Sequence, residues 1–124
     1  MIFIDSNVLA CAFYDNGKRE KCHQIIREGG IINTVNLIEA YNIIQFEVDG
    51  EHATKSIKSL LKSDLLIVDA DVNLVFEALR RASKYKNLKF MDMVHYSCAL
   101  INGCNVIVSY DKDFDGLDIP REEP

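Results

Sequence analysis

Two aspartates frame the late stretch KFMDMVHYSCALINGCNVIVSYDKDFDG, residues 89–116. Asp92 stands at the start of an apolar helical pattern, and Asp111 follows a β-branched run. A carboxylate is costly to bury unless it is paired or bound to a cation. Acids at the ends of two core elements therefore call for a partner. Two acids far upstream can join them: Asp5, directly after Met1-Ile-Phe-Ile, and Glu39 in the segment LIEAYN. The chemistry such a group offers is coordination of one metal ion by Asp5, Glu39, Asp92 and Asp111.

Each acid also has an ordinary reading. Asp5 can cap the helix that follows it, although Ser6 caps equally well. Asp92 can be a first-turn acid favoured by the helix dipole. Its neighbours Phe90, Met91, Met93 and Val94 are apolar, which predicts little solvent around it. Glu39 lies three residues after Asn36, a capping-box spacing with Asn in place of Ser or Thr. Asp111 can be a turn acid. His95 lies one turn after Asp92, but imidazole is a softer ligand than the hard ion these acids suit. It reads as a support beside the site or at the edge of the core, ahead of a direct ligand.

The loop Asp111-Lys-Asp-Phe-Asp-Gly opens like a calcium loop, with Asp113 and Asp115 in step and Glu122 at the twelfth position. Its setting disagrees. A strand-like run enters the loop where a helix should, Asp118 takes a place that is usually apolar, and Pro120 interrupts the second half. Only two residues follow Glu122, too few for an exit helix.

These residues must be positioned by short elements. Met1–Ile4, Ile31-Ile32, Leu65–Val68 and Asn105–Tyr110 read as strands. Between them lie helical patterns over 8–13, 18–27, from Thr34 or Asn36 to 48, 53–62, 71–85 and 90–101. Turns are marked by Asp15-Asn16-Gly17, Gly29-Gly30, Asp49-Gly50 and Asn102-Gly103. Alternating short apolar strands and helices predict an α/β fold, a three-layer α/β/α sandwich with a central, mainly parallel sheet of four or five strands. Ligand sites in such sheets lie beyond the carboxyl ends of the strands. Asp5 and Asp111 sit at two such ends; Glu39, in the helix after the second strand, and Asp92, at or near a helix start, can face the same edge.

The chain has 124 residues, the size of one domain over 1–124. No apolar run approaches the ~20 residues that cross a membrane. The amino end enters a core strand at once, leaving no room for a signal peptide, so a cytoplasmic location is expected. Cys11, Cys22, Cys98 and Cys104 lack C-x-x-C spacing and read as small buried hydrophobes. The net charge of −5 gives no general attraction for polyanions, so a nucleic-acid partner requires a metal or a local basic patch. Arg80, Arg81, Lys84, Lys86 and Lys89 are the densest basic cluster. That cluster is either a solvated helix face or a guide for phosphate.

The blocks FIDSNVLA, LIEAYN, FMDMVHYSCAL and VIVSYDKDFDGL resemble, in order and spacing, those of PIN domains, specifically the small VapC-like toxins. The resemblance covers essentially the whole chain. It implies a metal-dependent endoribonuclease that hydrolyses RNA phosphodiester bonds through a metal-activated water, with Mg²⁺ or Mn²⁺ as the cation. The family's acidic site maps onto Asp5, Glu39, Asp92 and Asp111, with Asn7 and Ser109 in supporting places. Tyr110 departs from the Arg or Asn often found at its position. Asp113 and Asp115 leave open which loop aspartate completes the site. The resemblance further implies an RNA substrate, a homodimer and a cognate antitoxin, as the toxin of a type II toxin–antitoxin pair. A stand-alone PIN nuclease of RNA processing and a non-catalytic PIN-fold binding protein are the alternatives.

Overall fold

The computed structural model describes residues 1–124. Five short strands, β1 (Ile2–Ile4), β2 (Ile31–Asn33), β3 (Leu66–Val68), β4 (Val106–Val108) and β5 (Arg121–Glu122), form one sheet in the order β3-β2-β1-β4-β5. Every pairing is parallel. Six helices accompany it: α1 (Ser6–Cys11), α2 (Arg19–Glu28), α3 (Thr34–Glu47), α4 (Gly50–Leu61), α5 (Val72–Ala82) and α6 (Phe90–Ile101).

Side-chain alternation along the strands divides the core into two layers. Ile4, Ile32 and Val108 face the cluster with Val8, Leu9, Leu37, Ala40, Ile44 and Leu60, from α1, α3 and α4. Their sequence neighbours Phe3, Ile31 and Ile107 face the other cluster, with Leu74, Ala78, Met93, Tyr96 and Ala99 from α5 and α6. The apolar pairs in each strand thus serve both faces of a buried parallel sheet.

Several boundaries differ from the sequence reading for local reasons. Helix α1 starts at Ser6 because Asp5 is its N-cap, accepting from the Ser6 N–H at 2.8 Å. Asp49 caps α4 by accepting from the His52 N–H at 2.7 Å, so that helix begins at Gly50. Helix α5 stops at Ala82, short of Tyr85. Strand β5 carries no apolar alternation, and hydrogen bonds hold it: Ile107 N–H to Pro120 C=O at 2.9 Å, Ser109 N–H to Glu122 C=O at 3.0 Å and Arg121 Nη1 to Ser109 C=O at 2.9 Å. Cys22, Cys98 and Cys104 are buried as expected, whereas Cys11 is only part-buried. Gly103, with φ of 71°, supplies the left-handed turn that ends α6 as Asn102-Gly103 predicted.

Candidate active site

The chain leaves β1 toward β2 and β3 on one side and returns through β4 and β5 on the other. The sheet therefore has its topological switch point between β1 and β4, where crossovers diverge and leave a crevice at the strand ends. Asp5 follows β1 and donates its backbone N–H to the Val108 C=O across that point at 3.0 Å. Asp5, Ser6, Asn7, Glu39, Asn42, Ile43, Asp92 and Asp111 line one cleft there. All four acids proposed from sequence reach it.

Asp5 is only 5% exposed. Beside its cap bond, its Oδ2 accepts from Ser109 Oγ at 2.6 Å and from Asn7 Nδ2 at 3.4 Å. Burial still pushes the Asp5 pKa above the usual range, against the Ser109 bond, the nearby His95 and the Ser6 N–H. Ser109, fully buried at the end of β4, also accepts the Asp111 N–H at 2.9 Å. One hydroxyl thus ties the first acid to the backbone of the fourth.

Glu39 is not a helix cap. The capping box of α3 is formed by Asn33 and Asn36, each side chain accepting from the other's backbone N–H at 3.0 and 2.8 Å. The Asn36–Glu39 spacing is coincidental because the helix begins one turn earlier. Glu39 Oε1 instead accepts from Ser6 Oγ at 2.7 Å and meets His95 Nε2 at 2.5 Å. His95, 1% exposed, faces Asn33 Nδ2 with its Nδ1 at 3.0 Å. An amide nitrogen only donates, so Nδ1 accepts and Nε2 carries the proton toward Glu39. Burial raises the Glu39 pKa, but the His95 and Ser6 bonds outweigh it and hold the group low. His95 is thus a support that aims Glu39, and Oε2 makes no hydrogen bond within the chain.

Asp92, in the first turn of α6, makes no hydrogen bond and no ion pair. Burial, then the charges of Asp5 and Asp111, push its pKa up to about 6. It is less enclosed than its neighbours suggested. Met93 and Val94 are buried, but Phe90 and Met91 are exposed. Asp111 caps the 3₁₀ turn Lys112–Phe114, accepting from the Asp113 N–H at 2.9 Å.

That turn separates the loop aspartates in space. Carboxylate oxygens of Asp92, Asp111 and Asp113 lie within 4.8 Å of one another. Asp115 points elsewhere and is clamped by Arg121, Nε to Oδ1 at 2.7 Å. Glu122 is an exposed residue of β5, so the loop does not close as a calcium hand. The donors fit a hard divalent cation: all are carboxylate oxygens, and no Lys or Arg pairs with any acid of the cleft. Sequence reasoning missed Asn42, one turn beyond Glu39 on α3. The i,i+3 spacing was the available signal.

A model of the PIN domain family matches residues 2–120. The chain belongs to the PIN domain family. Among solved structures, this PIN domain is similar to the Mycobacterium tuberculosis toxin VapC20, a cleaver of the sarcin–ricin loop, with a TM-score of 0.85 and 13% identity over 100% of both chains. It is also similar to VapBC2 of Rickettsia felis bound to a promoter DNA fragment, with a TM-score of 0.74 and 14% identity over 99% of this chain and 98% of that one. A chain of a Klebsiella pneumoniae toxin–antitoxin complex matches with a TM-score of 0.72 and 13% identity, over 97% and 95% respectively. At these identities the likeness concerns the fold. No curated protein sequence matches the chain. No helix of this PIN domain is long and apolar enough to cross a membrane.

Proposed function

We propose that this PIN domain, acting as one unit over 1–124, is a metal-dependent endoribonuclease and the toxin of a type II toxin–antitoxin pair. The observation that carries the reading is the convergence of Asp5, Glu39, Asp92 and Asp111 at the switch point with no Lys or Arg paired to any of them. Asp113 lies with Asp92 and Asp111 in the tightest group of carboxylates, from which Asp5 and Glu39 stand further back in the cleft. These residues would hold Mg²⁺ or Mn²⁺, which supplies charge stabilisation for a phosphate and a water acidic enough to attack.

The chain's own residues hold that geometry in place. Ser109 and the Ser6 N–H fix both oxygens of Asp5, while Asn7 bridges Asp5 and Ser109. The chain Asn33–His95–Glu39–Ser6–Asn36 locks one oxygen of Glu39 and leaves the other for the cleft. Asp92 has no hydrogen-bond or ion-pair partner, and burial with the charges of Asp5 and Asp111 outweighs the nearby His95, so a cation would stabilise its charged form. The test is RNA cleavage with Mg²⁺ or Mn²⁺ by the wild type, Asp5→Asn and Asp92→Asn. Loss of cleavage in both variants supports the reading, and equal cleavage by all three sinks it.

The toxin role, a cognate antitoxin and a cytoplasmic setting accord with the fold shared with toxins of toxin–antitoxin complexes. A neighbouring reading frame encoding a DNA-binding start and a helical tail is expected, and its absence favours a stand-alone RNA-processing nuclease. A homodimer is part of the same proposal. On α5, Val72, Val75, Phe76 and Leu79 lie at i, i+3, i+4 and i+7 and are 41 to 69% exposed. The stripe is symmetric about its middle, so two antiparallel copies set Val72 against Leu79 and Val75 against Phe76. The same pairing brings Asp71 opposite Arg80.

A further inference from the structure

The basic cluster seen in the sequence divides in three dimensions. Arg80 and Arg81 are taken up by Glu77, with Arg81 at 2.6 Å from its carboxylate. Lys84, Lys86 and Lys89 are exposed and enter no ion pair. They lie on the loop between α5 and α6, which turns tightly through the Leu88 N–H to Tyr85 C=O bond at 3.1 Å. Lys89 is the residue before α6, three before Asp92.

This loop faces the loop after β4 across a groove. Tyr85, Leu88 and Leu117 give it an apolar lining, Lys84 and Lys86 supply positive charge, and Asn87 offers an amide. Tyr85 is held in place by an edge contact on Tyr96 at 5.5 Å and a bond from its hydroxyl to Asp118 at 3.2 Å. Two acids also line the groove, and only Asp115 is neutralised within the chain. Asp115 is neutralised by Arg121, and Asp113 belongs to the carboxylate trio with Asp92 and Asp111. Asp113 therefore links the two places: it lines the groove and lies within 4.8 Å of the cleft residues Asp92 and Asp111.

We propose that this groove is the subsite for the nucleotide flanking the scissile phosphate of single-stranded RNA. Its base lies on the Tyr85–Leu88–Leu117 lining with an edge read by the Asn87 amide, and Lys84 and Lys86 hold the neighbouring phosphates. Single-stranded nucleic acid is bound in this way, by stacking on apolar and aromatic surface and by cations tracking the backbone. Net charge cannot attract RNA to this protein, whereas three lysines with no ion-pair partner, Lys84 among them over the Tyr85 ring at 5.7 Å, can do so locally. The inference rests on the ribonuclease reading and gives it a substrate path.

The experiment is a comparison of the wild type with a Lys84→Ala, Lys86→Ala variant on a randomised single-stranded RNA pool, with products sequenced. Both lysines are on the surface, so the fold is not at risk. The expected result is a KM raised about tenfold with kcat changed less than about twofold. Anisotropy of labelled RNA, read in an Asp5→Asn background to prevent turnover, should show the slope of log Kd against log salt reduced by about 1.4, or about 0.7 per lost contact. Asn87→Ala should relax the base preference at the position next to the cut. Unchanged KM, salt slope and base preference beside normal wild-type cleavage overturn the groove and leave the nuclease standing. A wild type that neither cleaves nor binds RNA overturns both.

Discussion

Replacing Asp92 by asparagine should stabilise the metal-free protein. In the folded state its carboxyl is held at about 6, against an ordinary value of 3.8. The folded protein thus binds this proton more tightly than the unfolded chain does. Stability lost to the group therefore grows as pH rises from about 4 to about 6 and is constant above. The gap corresponds to about 3 kcal/mol at 1.36 kcal/mol per pH unit. Asp92 is partly exposed, so solvent screening leaves about 1–2 kcal/mol. Asparagine has nearly the same shape and no charge. Thermal melts in EDTA at pH 8 should place Asp92→Asn about 4–8 °C above the wild type, and melts at pH 4 should coincide. Added Mg²⁺ should reverse the order, because only the wild type keeps the full ligand set. If Asp92 served mainly as a first-turn acid for the dipole of α6, the variant would instead be less stable by about 0.3–1 kcal/mol at pH 8. A lower melting temperature for the variant in EDTA at pH 8 refutes the reasoning.

Metal affinity in the wild type, followed by calorimetry with Mn²⁺, should weaken as pH falls through about 6, where Asp92 takes up a proton; constant affinity from pH 8 to pH 5 contradicts a carboxylate site. Ser109→Ala should cost about 1–3 kcal/mol in urea melts, since buried Asp5 and the Asp111 N–H both lose a partner. Tyr96→Phe should cost about 1–3 kcal/mol by the same measurement, because the Tyr96 hydroxyl oxygen accepts from the Asp118 and Ile119 N–H groups that lead into β5. Phe76→Glu should convert a dimer to a monomer in light scattering, with secondary structure unchanged by circular dichroism.

Elements with apolar periodicity were readable from the chain because their residues encode both partner and face. Helix α6 matches its expected span, Phe90–Ile101, and four of the five strands appear where β-branched residues cluster. Strand β5 was not readable: Arg121-Glu122 has no strand propensity, and it pairs because Tyr96 and the β4 backbone hold the returning chain. The true cap of α3 was likewise hidden, since Asn33, Thr34 and Asn36 all lie close enough to start a helix. Only the mutual bonds of Asn33 and Asn36 select one start.

The sequence by itself determined that Asp5, Asp92 and Asp111 would stand at strand ends and a helix start, because the local pattern places those ends and a parallel sheet turns them to one edge. What each acid does there was decided by contacts between residues far apart in the chain. Ser109, 104 positions away, holds Asp5; His95, 56 positions away, holds Glu39 at the cleft, where sequence spacing had also allowed a cap. Arg121 removes Asp115 from the site and leaves Asp113 beside Asp92 and Asp111. Local spacing cannot encode these choices, because a lone pair's partner depends on which side chains folding brings within about 3 Å of it.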